Sequence, residues 1–334
     1  MRPIPIQARK IEAMNEIADD NKRKPKLTVE EQIEHLKSKG VTFELCDEGE
    51  AAHILSEQDH YFRLAAYRVL FPKRIGGAHD GEYAGLDFGQ LVDLAGIDQE
   101  LRRFLLPLTL DVENAAKTKL VEKITDNRNE DGYSVLADYL THLNHTERNR
   151  REGEISRLEN DAYLGPLVER YPLDEMPAWV FLELSSFGAF ASFYLFCANR
   201  WGDTEMRDDH YLLRRANSLR NAAAHSSAII NGLGISSATP TRYPASVAKA
   251  LGDAGVSKRL RRSKMRNPRV LQTTVLAYAC NRFVARERQA RAYDGFLAFR
   301  QRAEENSDWY RGNTTIISAY DFLSKVFQAW LSQW

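Results

Sequence analysis

Arg220, Asn221 and His225 stand in the run RRANSLRNAAAHSSAIIN, residues 214–231, with the spacing Arg-Asn-x-x-x-His. On a helix, Asn217, Asn221 and His225, at steps of four, line one polar stripe, and the long side chain of Arg220 can reach around toward it. Leu213, Ala216, Leu219 and Ala223 are left to pack elsewhere. Cleavage of RNA requires a group of near-neutral pKa to move a proton between the 2′-hydroxyl, the phosphate and the leaving oxygen. It also requires a fixed positive charge on the pentavalent phosphate. Histidine, with an ordinary pKa of about 6.5, suits the first role and arginine the second. Asn221 would orient the histidine or bond a phosphate oxygen. This chemistry calls for neither metal nor cofactor, and none is expected.

The spacing alone is weak evidence. With eight histidines and 32 arginines, a chance pair at this distance is expected on the order of once. A second match, Arg74 to His79 in RIGGAH, does occur, across two glycines in an expected loop. The plain alternative is a helix whose Arg and His make ordinary ion pairs or caps.

The elements that must hold such a stripe read as helices. No run of alternating β-branched residues is flanked by a tight-turn pair, while helical spacing recurs throughout. Lys26–Lys39 forms a helix on this reading, with Thr28 as N-cap, Glu31 as capping-box partner and Gly40 as stop. A second runs from Glu48 to Leu70. A glycine-rich loop follows over 74–86, then a long amphipathic segment from Phe88 to about Ile124, with Pro107 as a candidate break. Residues 153–170 read as a charged bridge. A helix is expected to begin near Pro177 and is apolar nearly all round from Trp179 to Cys197, as a helix at the centre of a bundle would be. The motif helix is expected over His210–Ile230, the Gly/Ser/Pro-rich segment 232–244 is a linker, and helices fill 245–334.

At 334 residues the chain is long enough for about two domains, and 43% hydrophobic content with 19 Gly and 11 Pro describes a folded protein rather than a disordered one. No stretch approaches the roughly 18 consecutive apolar residues of a membrane span, and residues 1–24 lack a signal-peptide core, so a cytoplasmic protein without a membrane partner is expected. Cys46, Cys197 and Cys280 are odd in number and far apart, which leaves neither a disulfide framework nor a Cys-x-x-Cys metal site.

Net charge is zero, with 46 basic and 46 acidic residues, so bulk charge does not attract nucleic acid. The distribution is uneven. Between Arg242 and Arg311 sixteen basic residues face six acids. Lys258, Arg259, Arg261, Arg262, Lys264, Arg266 and Arg269 form a run without any acid, followed by Arg282, Arg286, Arg288 and Arg291. A solvated face and a phosphate-contacting RNA surface both fit this density. Tyr278, Phe283 and Tyr293 would stack unpaired bases or simply belong to a core.

Five ordered segments give a more specific signal: KPKLTVEEQIEHLKSKGV (24–41), HYFRLAAYRVLF (60–71), FGQLVDLAGIDQELRRFLLPLTLDVENAAKTKL (88–120), MPAWVFLELSSFGAF (176–190) and LRNAAAH (219–225). Together they resemble the Abi-like abortive-infection family of bacteria, of the AbiF and AbiD type. The resemblance implies an all-α, HEPN-like helical bundle over 22–231, with an N-terminal arm at 1–21, a helical extension before the bundle and a basic helical region at 245–334. It also implies a metal-independent ribonuclease of phage defence and toxin systems, with Arg220, Asn221 and His225 as the Arg-x4-His signature. Asp98, Arg102 and Glu113 match recurrent polar positions of the family. Asp98 and Arg102, four apart, would make a helix ion pair of about 0.3–0.5 kcal/mol, and Glu113 would help orient the active-site helix. Trp179 and Phe187 are expected to pack in the core. Glu183, inside so apolar a helix, should need a basic partner, with the helix carrying Arg220 as one source.

The resemblance further implies a homodimer that brings two motif helices side by side. Two rival readings remain: an RNA-binding scaffold without catalysis that carries a structured noncoding RNA, and a toxin restrained by an inhibitory protein partner.

Overall fold

The computed structural model of the chain describes residues 25–233 and 242–332. The arm expected at 1–21 lies outside the described residues, as does most of the linker expected at 232–244. The fold is all-α, with fifteen α-helices among the described residues and one two-stranded parallel pairing that the sequence did not signal. The chain sorts into two compact units. One comprises the described residues up to Ala65 with Pro72–Gly89, and the other comprises Ala66–Phe71 with the described residues from Gln90 onward.

In the first unit, α1 (Val29–Lys37) starts at the expected capping box, in which Thr28 and Glu31 satisfy each other's backbone amides. Gly40 stops the chain at φ +79°, and a β-carbon there would press on Glu82 at 2.9 Å. Strand β1 (Val41–Thr42) then pairs with β2 (Leu86–Asp87), Val41 opposite Leu86. Asp87 fixes this corner by accepting from Thr42 Oγ1 at 2.8 Å and from the amide of Glu44 at 2.7 Å. The helix expected from Glu48 to Leu70 is interrupted: α2 (Glu48–Glu57) and α3 (Tyr61–Ala65) are separate, and a 3₁₀ turn, Ala66–Leu70, follows.

Helix α4 (Phe88–Asp126) runs through Pro107 without a break. Pro107 and Arg103, whose carbonyl loses its helical partner to the proline, are both exposed. The opposite face buries Leu101, Leu105, Leu108, Val112, Ala116 and Leu120, which holds the helix together across the proline. Three helices follow, α5 (Ser134–His142), α6 (His145–Ser156) and α7 (Gly165–Arg170), and the charged bridge expected over 153–170 holds the end of α6 and all of α7. The apolar stretch is two helices, α8 (Ala178–Leu184) and α9 (Phe187–Arg200), because Ser185 is extended and Ser186 caps α9 through the amide of Ala189.

Helix α10 (Thr204–Ala224) packs between α9 and a later helix, α13 (Pro268–Phe283). The remaining helices are α11 (Ala245–Asp253), α12 (Lys258–Lys264), α14 (Arg286–Glu304) and α15 (Thr314–Leu331), and α13 and α14 both pack on α15. The helices from Ala245 onward therefore build one core with those before the linker, seen in the cluster of Phe104 with Phe296, Phe299 and Phe327. Among the described residues no helix is long and apolar enough to cross a membrane.

Candidate active site

The motif lies on α10. Asp203 caps its first turn, and Leu212, Leu213, Ala216, Leu219 and Ala223 are buried. On its inner side Asp209 binds Arg282, which also reaches Glu205 at 2.8 Å. Arg282 is thus a packing partner of the motif helix. His210 donates from Nδ1 to the carbonyl of Ala191 on α9 at 2.9 Å, the direction fixed because a carbonyl can only accept. Burial lowers the pKa of His210, and the Arg214 charge adds to the effect. Asn217 sits close to Gly188, where an added β-carbon would touch its Nδ2 at 3.5 Å.

Arg220 is half-buried and donates from Nη1 to Asn221 Oδ1 at 3.1 Å, while Asn221 is exposed. The helix ends sooner than expected. Its last residue is Ala224, and His225 is the C-cap. The stop is a Schellman turn: Ser227 N–H bonds to the carbonyl of Ala222 at 2.9 Å and Ser226 N–H to that of Ala223 at 3.2 Å. The left-handed position of that turn usually falls to glycine, but here Ser226 takes it at φ +54°. His225 is exposed, and among the described residues no hydrogen bond or ion pair engages its ring.

The backbone just beyond His225 is clamped from two sides. The Asp98 carboxylate, fully buried, accepts the amides of Ile229 at 3.0 Å and Ile230 at 2.8 Å and the hydroxyl of Tyr67 at 2.8 Å. Arg102 forms a buried ion pair with it and points a second contact, at 3.5 Å, toward the carbonyl of Ser227. Burial pushes the Asp98 carboxyl up, opposed by the Ile230 amide and the Arg102 charge. Burial and the Asp98 charge also push Tyr67 up, so it remains a donor. From the other side Arg269 donates to the carbonyls of Ala228 and, at 3.1 Å, Ile229. Its side chain fills the space that a β-carbon at Gly232 would occupy. Asn267 donates to the carbonyl of Gly232 at 2.7 Å.

Asp98 and Arg102 are therefore more than a surface helix pair. They join the long helix α4 to the strap 227–232, which leaves the motif. The sequence did not reveal this role, since it depends on backbone groups more than a hundred residues away.

Glu113 pairs with Lys117 at 3.0 Å, and Lys117 reaches the carbonyl of Ser185 at 3.4 Å and stands over the Phe190 ring. Glu113 thus supports the junction of α8 and α9, and α9 in turn packs on α10. Glu183 is exposed, so the expected basic partner is not required. Trp179 is 45% exposed and packs edge-on against Tyr133 over Gly132, whereas Phe187 is buried as expected.

The basic run divides in two. Arg261 donates to the carbonyl of Ala248 at 2.5 Å, Lys264 to Ser318 Oγ at 2.7 Å, and Arg269 to the strap. Lys258, Arg259, Arg262 and Arg266 are exposed, and their side chains make no hydrogen bond or ion pair among the described residues. Of the aromatic candidates, Phe283 is buried, Tyr278 packs on Trp330 and Tyr293 on Phe296.

All three cysteines are buried, and burial pushes the thiols of Cys46 and Cys280 up to about 12, far from a nucleophilic thiolate at neutral pH. Among the described residues no group of His, Cys, Asp or Glu is arranged to hold a metal ion.

Compared with known proteins, the chain matches the family described as Abi-like protein over residues 54–231, which includes the motif, Asp98 and Arg102. No curated protein and no solved structure matches it.

Proposed function

Because this chain belongs to the Abi-like protein family, we propose that it acts in abortive-infection defence against phage as a metal-independent endoribonuclease of the HEPN type. His225 takes the proton of an RNA 2′-hydroxyl as that oxygen attacks the adjacent phosphorus, and returns it to the departing 5′-oxygen. The P–O5′ bond breaks, leaving a 2′,3′-cyclic phosphate and a 5′-hydroxyl. Arg220 stabilises the charge that builds on the phosphoryl oxygens, and Asn221 fixes the guanidinium through its amide oxygen.

One observation carries this reading: an exposed His225 caps the end of the motif helix, about 7.5 Å of helix rise beyond Arg220. Its open position also supports a homodimer in which two copies of the motif complete one site. The protein would work in the cytoplasm, where phage RNA is made, and would need restraint by a partner before infection.

The test is incubation of the purified chain with labelled single-stranded RNA. Cleavage with cyclic-phosphate ends is expected for the wild type and not for His225→Ala.

A second reading, RNA binding without cleavage, is favoured by the four unengaged side chains Lys258, Arg259, Arg262 and Arg266. Under it, RNA co-purifies with the protein, and His225→Ala changes neither binding nor any cellular effect.

A further inference from the structure

Helix α10 is open to solvent along one narrow strip. From Asp209 to Ala223 only Arg214, Ser218 and Asn221 are exposed, and exposed Arg207 and His225 extend the strip at its two ends. At 3.6 residues per turn these five positions fall within about 60° of the helix circumference, so Arg207 and Arg214 share the face that carries His225. The flanks are half-buried, with Tyr211 and Arg215 on one side and His210 and Asn217 on the other. No acid lies on the strip, and the exposed Asp208 stands about 100° away from it.

The fold does not consume these two arginines as it does Arg282 and Arg302, each paired with a buried aspartate. Arg214 makes no hydrogen bond or ion pair among the described residues. Its neighbours at three and four positions, where a helix places ion-pair partners, are His210, Tyr211, Asn217 and Ser218, none of them acidic. Arg207 donates from Nε to Asn199 Oδ1 at 3.0 Å, which orients the guanidinium and leaves both Nη groups uncommitted among the described residues. Asp203, four residues before Arg207, is paired with Lys123 at 2.9 Å. Guanidinium groups held this way match phosphate oxygens. Their spacing also fits a strand: Arg214 lies about 16 Å and Arg207 about 27 Å of helix rise before His225, or about five and eight nucleotides at the ~3.4 Å per nucleotide of a stacked strand.

We propose that single-stranded RNA lies along this strip, with its scissile phosphate at His225 and the phosphates about five and eight nucleotides to one side of it at Arg214 and Arg207. A strip one residue wide tracks one backbone, whereas a duplex presents two. The proposal rests on the ribonuclease reading above and adds a substrate class to it: unpaired RNA that continues at least about five nucleotides beyond the cleaved bond, rather than a dinucleotide.

The experiment measures kcat and KM of the full chain on single-stranded oligonucleotides that carry one ribonucleotide, and hence one cleavable bond, in an otherwise 2′-deoxy strand. The strand extends two, five or eight nucleotides beyond that bond, on the 5′ side in one series and on the 3′ side in another. For the wild type, KM is expected to fall severalfold from two to five nucleotides and again from five to eight, in one series only and with kcat little changed. Arg214→Gln should abolish the first step and Arg214→Lys should keep most of it, while Arg207→Gln should abolish only the second. Cleavage by the wild type with a KM independent of length, or with both steps intact in Arg214→Gln, would overturn the proposal and leave the ribonuclease reading standing. A molar mass by light scattering that changes in Arg214→Gln would assign the strip to a contact between copies and also overturn it. If the wild type cleaves no member of the set the proposal falls, and if it leaves an all-ribose strand intact as well the ribonuclease reading falls with it.

Discussion

Asp98 accepts the backbone amide of Ile230 at 2.8 Å, although the two stand 132 positions apart in the chain, and through this bond the long helix α4 holds the segment that leaves the motif. Ile229 adds a second amide to the same carboxylate, and Arg102 neutralises it from one turn away. Arg269 holds the carbonyls of the same segment from α13. The position of His225 is therefore set jointly by its own helix and by two others.

Breaking this clamp should destabilise the fold. Asp98→Ala leaves Arg102 buried without its counter-charge, for which about 3–5 kcal/mol is expected. Asp98→Ala combined with Arg102→Leu removes the orphaned charge, so the double variant should lose less than the two single losses together. Urea unfolding of the four proteins in the cycle measures the difference. Equal and additive losses would show that the pair is not coupled.

Ser226 occupies a left-handed conformation that costs a non-glycine residue on the order of 1 kcal/mol. Ser226→Gly should raise the melting temperature by a few degrees, and Ser226→Val, β-branched and poorly suited to that region, should lower it. Differential scanning calorimetry gives both shifts. If both variants melt with the wild type, the turn is not under the strain inferred from its backbone.

His210 should give stability a dependence on pH. Its pKa is lowered in the folded chain, so between the ordinary value near 6.5 and the depressed one the unfolded chain binds a proton that the folded chain refuses. Its contribution is complete above about pH 6.5 and is lost as the pH falls through the folded value. His210→Gln should flatten the decline of unfolding free energy over that window relative to the wild type. Parallel pH profiles for the two proteins would contradict the assignment.

The basic residues should separate by role. Changing Lys258, Arg259, Arg262 and Arg266 together to Gln should leave stability nearly intact. It should also reduce the slope of log affinity for single-stranded RNA against log salt by about 3, at roughly 0.7 per phosphate contact. Arg269→Gln should instead lower the melting temperature, because it frees the carbonyls of Ala228 and Ile229. Filter binding across a salt series and thermal unfolding distinguish the two groups.

The helical class, the capping box at Thr28, the buried face of α4 and the position of the motif could be read from sequence because each is written in local spacing. Features set by distant partners could not. The helix expected to continue to Ile230 stops at Ala224, since Ser226 carries no glycine-like signal and the pull on the strap comes from Asp98. The Ser185–Ser186 pair that divides α8 from α9 is an N-cap signal hidden in an apolar run. Glu183 needs no partner because it is exposed to solvent. Arg261, Lys264 and Arg269 counted toward a basic surface in sequence, yet each is spent on a carbonyl or hydroxyl of the protein itself. Charge density along a chain does not reveal which side chains the fold consumes.

The most direct measurement is the cleavage rate of labelled single-stranded RNA by the wild type, His225→Ala and Arg220→Ala, each first shown to be folded by circular dichroism. The wild type should cleave and leave 2′,3′-cyclic phosphate ends, and either substitution should reduce the rate by at least 10²-fold, the scale of a lost general acid–base or charge-stabilising group. RNA left intact by the wild type, or cleaved at an undiminished rate by His225→Ala, would contradict the assignment of this motif as a ribonuclease site.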